Sequence, residues 1–204
     1  MLKQSGFSLV ELMVSMAIAL FLMLGITAFF STSTRATADN IKTTRVNSVT
    51  RSAMELMSRE ITRAGYWHDS DQHIGASYAN PFSTVEVAQH KQPGDCILFG
   101  YDANKNGTLD DTEFRGFRLN GSIIEMKTAG AAWACDEGTW QVLTPGMIAV
   151  DSLRFTLTTQ SVPAGIKQVV NRKVQIQLSG SYTTDHAVRQ ALDDLVTIRN
   201  DIIL

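Results

Sequence analysis

The chain has 204 residues and a formal net charge of -2 at pH 7, with 18 Lys and Arg against 20 Asp and Glu. So even a balance offers no basic footprint for nucleic acid, and no nucleic-acid partner is expected. Hydrophobic residues make up 44% of the chain, an ordinary share for a globular protein.

The first element in chain order is GFSLVELMVSMAIALFLMLGITAFF, Gly6 to Phe30. From Leu12 to Phe30 no residue is charged. A membrane-spanning helix needs about 20 apolar residues. As a helix, Phe7 to Phe30 would be roughly 36 Å long. Glu11 breaks the pattern. A bare carboxylate deep in lipid costs roughly 3 kcal/mol or more, so residues of this kind are usually functional. A secretory signal peptide fits poorly: the basic region is Lys3 alone, and STSTRATADN follows where a small-residue cleavage site belongs. A plain membrane anchor fits the length but leaves Glu11 unexplained.

Gly6, Phe7, Glu11 and the uninterrupted apolar run together resemble the class III signal of type IV pilins. The resemblance implies that a prepilin peptidase cuts after Gly6, removing residues 1–6, and methylates the new amino terminus at Phe7. It also implies that Glu11 meets the amino group of a neighbouring subunit during assembly. A cation and an anion at similar depth in lipid attract strongly, which makes that pairing physically reasonable.

Beyond Phe30 no proline appears before Pro81, so nothing forces the helix to stop at a membrane surface. Ala38, Ile41, Val46, Val49, Ala53, Leu56, Met57, Ile61 and Ala64 form a narrow helical stripe, with Arg45, Arg51, Glu55, Arg59 and Arg63 between them. Gly65 supplies a C-terminal stop, and Arg63 suits the negative end of the helix dipole. One helix is therefore expected from near Phe7 to about Ala64, apolar all round over 7–30 and amphipathic over 31–65. Residues 66–94 hold turn formers and read as a connection; the run His68 to His73 matches no metal-site spacing. Strand patterns fill 95–204: CILFGY, then FRGFRL and SIIEMK around Asn120-Gly121, then TWQVL, Met147 to Thr159 and Lys173 to Tyr182, with VPAG at 162–165 as a turn. The end of the chain, ALDDLVTIRNDIIL, fits either a strand or a short helix, and a strand over Leu195–Arg199 is the reading adopted. One long helix followed by an antiparallel sheet is an α+β arrangement.

ELMSREITRAGYW, CILFGYDANKNGTLD, GFRL, a second Cys near a Trp and a late Arg-Asn pair are similar to PilW-type minor pilins. The resemblance implies a type IV pilin-like fold, with a long helical spine packed on an antiparallel sheet. An even cysteine count outside the cytoplasm points to one bond, Cys96–Cys135, against the alternative of two buried thiols.

Asp102 to Glu113 reads DANKNGTLDDTE and fits the calcium-loop pattern D-x-[DN]-x-[DN]-G-x5-E. In such a loop Asp102, Asn104 and Asn106 offer side-chain oxygens to one centre, Gly107 permits the sharp turn, and Thr108 adds a backbone carbonyl. Asp110 is a further ligand, and Glu113 can bind through both oxygens. Ca²⁺ is the expected cofactor, although the flanks read as strands and two of the early ligands are neutral. No G-x-S-x-G, H-E-x-x-H or phosphate-binding loop occurs, so no enzyme activity is expected.

The resemblance implies a minor pilin that primes assembly of a type IV pilus, held in the bacterial inner membrane with its globular domain in the periplasm and then carried to the cell surface. Its partners would be other minor and major pilins, the prepilin peptidase, the inner-membrane assembly machinery and the lipid bilayer. The same leader, spine and sheet also suit a type II secretion pseudopilin, and the loop allows a calcium-binding adhesive tip subunit.

Overall fold

The computed structural model describes residues 6, 8–70, 79–165, 167–200 and 202–203. The chain divides into two compact units, Met1–Lys42 and Thr43–Leu204. Helix α1, Leu9–Thr62, runs through both; Phe7 lies outside the described residues.

In the first unit the helix carries no charge from Leu12 to Phe30 and turns polar from Ser31 on, with Arg35, Asp39 and Lys42. Its hydroxyl groups are satisfied internally: Ser15, Thr27, Thr32, Thr34 and Thr37 each donate to the carbonyl four residues earlier. That back-bonding lets polar side chains sit in a hydrocarbon setting.

In the second unit α1 buries one face. Val46, Thr50, Ala53, Met54, Met57, Glu60 and Ile61 are buried at helical spacing. Met54 takes the inward place expected of Leu56, which is half-buried. The stripe extends less far back than its sequence pattern, since Ala38 and Ile41 are exposed.

Two sheets form where one was expected. The first is an antiparallel meander of β1 (Val85–Ala88), β2 (Cys96–Gly100), β3 (Phe114–Asn120), β4 (Ile123–Ala129) and β5 (Thr139–Val142). β1 corrects the reading of 66–94 as pure connection. Only four residues long and partly exposed, it carries little apolar signal, and its pairing with β2 defines it. The β3–β4 turn is Gly121-Ser122, one residue later than Asn120-Gly121, with Gly121 at φ 65. A glycine with positive φ in the first loop position is what a tight hairpin turn requires.

The second sheet contains β6 (Ile148–Ala164), β7 (Lys167–Tyr182) and β8 (Asp185–Thr197), with β9 (Ile202–Ile203) also paired to β7. Val162, Pro163 and Ala164 belong to β6, so the expected VPAG turn shrinks to its last residue, Gly165, at φ 66. β8 begins ten residues before the strand expected at Leu195 and ends at Thr197. Its inward-leaning positions include Gln190 and Asp194, which hid the alternation. The two sheets meet through Phe155 N–H to the Gly94 carbonyl and Val150 N–H to the Ser122 carbonyl.

One core joins the helix to both sheets. Met54, Met57 and Ile61 meet Ile97, Phe99, Phe117 and Ile124 of the first sheet, and Leu153, Phe155, Val174, Ile176 and Leu178 of the second. Gly180 of β7 faces the helix, where an added Cβ would lie 3.1 Å from the Thr50 methyl.

The end of α1 is where separate segments converge. The last carbonyls of a helix have no intrahelical partner. Asn200 Nδ2 donates to the carbonyls of Ala64 (3.0 Å) and Arg63 (3.3 Å). Gly65, at φ 77, turns the chain so that its N–H reaches the Gly100 carbonyl at 2.8 Å. Asn80 Nδ2 donates to the Gly65 carbonyl, and Arg172 donates to the carbonyls of Ser83 and Asn200. Beside them the Tyr101 hydroxyl donates to Glu60 Oε2 at 2.6 Å, under the Arg63 guanidinium. Burial, then the hydrogen bond to Glu60, pushes the Tyr101 phenol up from its usual pKa.

Asn200→Ala should lower stability by roughly 1–3 kcal/mol, because it strips a donor from the part-buried Ala64 carbonyl just beyond α1. Thermal or denaturant unfolding of the detergent-extracted full chain reads this, and an unchanged midpoint would contradict the capping role. A second expectation concerns pH. The Asp95 carboxylate is 2% exposed and accepts the N–H groups of His90, Lys91 and Gln92. Burial raises its pKa, but those amides, with a smaller contribution from the charge of His90, outweigh it and the net shift is downward. A lowered folded-state pKa stabilises above the unfolded value of about 3.9, and that stability is lost as pH falls through the folded value. Asp95→Asn should therefore cost stability at neutral pH and flatten the acid limb of a melting-temperature profile.

Candidate functional site

Gly6 is exposed, and Glu11 sits in the first turn of α1. Glu11 Oε2 accepts the Ser8 N–H at 3.3 Å, so the carboxylate serves an otherwise unpaired amide at the positive end of the helix dipole. The helix that follows presents bare apolar side chains: Phe21 and Phe29 are each 76% exposed and Leu24 72%. Its most apolar window has a mean hydropathy of 2.4 and buries nothing within the chain. By length and composition this helix can cross a membrane. So large an unpartnered apolar surface needs lipid or other helices around it.

The Asp102–Glu113 loop joins β2 to β3 and rests against the turn after α1. Asp102 N–H donates to the Tyr66 carbonyl, His68 N–H donates to Asp102 Oδ2, and Trp67 Nε1–H donates to the Gly107 carbonyl. Gly107 has φ 73, and an added Cβ would lie 2.4 Å from Asp69 Oδ2, so this position requires glycine. Asp71, Gln72 and His73 lie outside the described residues.

The ligand candidates come together with their own hydrogen bonds made. Asp102, 1% exposed, accepts the N–H groups of Asn106, Gly107 and His68. Glu113, 0% exposed, accepts Ala103 and Asn104 N–H through Oε1 and Asp110 N–H through Oε2. Asn104 and Asn106 each turn a side-chain nitrogen to Asp110 Oδ2 at 2.8 Å, while their oxygens accept the N–H groups of Asn106 and Thr108. The donor set is of the hard-oxygen kind that suits Ca²⁺. As arranged, however, N–H groups face the common point, and no group of three His, Cys, Asp or Glu side chains gathers for an ion among the described residues. A cation would need both carboxamides turned over.

The outer face of the first sheet is closed by residues 130–138, fastened through the Cys96–Cys135 disulfide, with Cα atoms 6.4 Å apart. Beneath lies Lys127, 0% exposed, its Nζ donating to the carbonyls of Ala132 (2.7 Å) and Ala134 (3.0 Å). Burial pulls its pKa down. Arg118 bonds Glu125 Oε2 at 2.7 Å, donates to the Cys135 carbonyl and lies 4.2 Å over Trp140. Sequence reasoning missed this cluster. Its one signal is that Lys127 and Glu125 alternate with the core-facing Ile124 and Met126 in β4, a polar pair on the outer face that a covering loop could close.

Comparison with known proteins follows the same division. The prokaryotic N-terminal methylation motif matches residues 1–27. The family described as Prepilin peptidase-dependent protein B matches residues 39–198. The protein of that name from Escherichia coli (strain K12) is 28% identical over 166 residues, covering 78% of this chain and 80% of its own length. No solved structure matches. The chain belongs to the prepilin peptidase-dependent protein B family and is a type IV pilin-like minor pilin.

Proposed function

We propose that this protein is a PilW-type minor pilin. It is cut after Gly6 and methylated at Phe7, held in the inner membrane with residues 43–204 on the periplasmic side, and then built into a type IV pilus. It primes assembly near the tip together with other minor pilins; its work is docking rather than turnover. The observation that carries this reading is the bare apolar half of α1 with a single carboxylate in its first turn. Lipid covers that surface before assembly and neighbouring helices cover it afterwards. Glu11 then exchanges its local amide for the amino terminus of a neighbour, which sets register. Glu11→Ala should leave membrane insertion unchanged, since it makes the helix more apolar, and should strongly reduce recovery in sheared pili. Wild-type incorporation would refute the role of Glu11. A secretion defect with no pilus defect would assign the chain to a type II secretion pseudopilus instead.

A second reading adds Ca²⁺ at Asp102–Glu113, favoured by the convergence of Asn104 and Asn106 on Asp110. Turning both carboxamides over would bring their oxygens to that point. With few charged ligands the site would be weak, of the order of 10⁻⁴–10⁻³ M as in other extracellular modules. Millimolar Ca²⁺ should raise the melting temperature of the full chain above that in EDTA, and Asp111→Ala should leave that rise intact. Asp102→Ala and Glu113→Ala should lower the melting temperature even in EDTA, because each strands buried backbone donors at about 1–3 kcal/mol apiece. Identical melts with and without Ca²⁺ would remove calcium and leave a loop closed by its own hydrogen bonds.

A further inference from the structure

The Asp102–Glu113 loop holds an Asn-Gly pair, Asn106-Gly107, in an unusual set of contacts. Gly107 N–H, the nucleophile that can cyclise onto the side chain before it, points at the buried carboxylate of Asp102 at 3.1 Å. The Asn106 side-chain oxygen accepts the Thr108 N–H at 2.8 Å. The Asn106 side-chain nitrogen points at Asp110 Oδ2 at 2.8 Å. A carboxylate thus draws on the attacking N–H, and a backbone donor stands where negative charge develops on the carbonyl oxygen, while Asp110 holds the carboxamide in place through its Nδ2–H. These are the elements of general-base and oxyanion catalysis. Gly107 adds no Cβ to hinder ring closure.

We propose that Asn106 is a self-modification site, where the folded loop converts its own carboxamide into a carboxylate. Gly107 N bonds to Asn106 Cγ, and the Cγ–Nδ2 bond breaks. Asp102 takes the proton that Gly107 N gives up and returns it to solvent, while Nδ2 takes one proton from solvent water and leaves as ammonia. Water then opens the five-membered imide. Attack at Cγ yields aspartate at 106, and attack at the main-chain carbon yields the isoaspartyl linkage. The net change is one water consumed and one ammonia released. The product places a carboxylate opposite Asp110, where a carboxamide N–H now donates. That repulsion loosens the loop unless a cation sits between the two groups, so the modification deepens the calcium reading, though the chemistry does not depend on it.

The chain carries its own control. Asn120-Gly121 is also an Asn-Gly pair, but the Asn120 oxygen is held by Lys91 Nζ at 2.7 Å and its nitrogen by Glu125 at 3.3 Å. Gly121 itself sits in the open, with nothing within 4 Å of an added Cβ. The test is peptide mass mapping of the detergent-extracted full chain, aged folded at mildly alkaline pH and, in parallel, aged unfolded in denaturant. Asn106 should convert several-fold faster folded than unfolded, and Asn120 slower folded than unfolded. Asp102→Asn should remove the acceleration. Should that variant fail to fold, the wild-type comparison still decides. Conversion of Asn106 that is slower in the folded chain, or no faster than that of Asn120, would overturn the proposal. Asn106→Asp should melt below wild type in EDTA; an unchanged midpoint would overturn the predicted loosening.

Discussion

The end of α1 is the constraint on which the second unit depends. A helix must dispose of its last carbonyls, and here the helix and the turn after it are tied to several parts of the chain. Arg199 N–H donates to the Thr62 carbonyl and Asn200 Nδ2 to the Ala64 carbonyl, Asn80 Nδ2 donates to the Gly65 carbonyl from the connection before β1, and the Gly65 N–H donates to the Gly100 carbonyl of the first sheet. Arg172 ties the second sheet to two of them through the carbonyls of Ser83 and Asn200. The left-handed Gly65 makes the convergence possible, since an added Cβ would lie 3.1 Å from the Arg172 guanidinium. Two residues beyond β2 the same junction sets the Asp102 loop, because the Asp102 N–H is held by the Tyr66 carbonyl.

The fold also relies on buried charges used as fasteners. Asp95, Asp102 and Glu113 each gather three backbone amides from short segments that could not otherwise pair them. Lys127 does the reverse, gathering carbonyls of the loop that the disulfide holds over it. Buried polar groups are tolerated when they are hydrogen-bonded, and each of these has at least two partners. The Glu11 carboxylate is of another kind. It is exposed and accepts the local Ser8 N–H.

The sequence disclosed most where one physical rule acted alone. The apolar run with Glu11, the helix stop at Gly65, the short β2 run and the β3–β4 hairpin each follow from composition or from one turn residue. It disclosed less where tertiary context overrode pattern. β1 is too short to show alternation and exists through its pairing with β2. β8 hides its period because the Ser58 hydroxyl donates to Asp194 on an inward-leaning position. Pro163 suggested a turn, yet an edge strand can hold a proline where the missing N–H faces away from its partner. In the Asp102 loop the pattern picked out the residues that converge, while the contacts show Asp102 and Glu113 turned onto amides, which no spacing rule distinguishes from ligation. The late Arg-Asn pair stood out by resemblance, and its contacts give it a physical role as the cap of α1.

Native-state hydrogen exchange on the detergent-extracted full chain tests the central claim directly. Amides at a junction that holds the unit together open only when the whole unit opens. Gly65, Asp102 and Ile198 N–H, bonded to the carbonyls of Gly100, Tyr66 and Arg172, should exchange with the same opening free energy as core amides of β2 and β7. Exchange of those three through local opening, well before the strands, would show that the helix end is a passive terminus and that the sheets hold together without it.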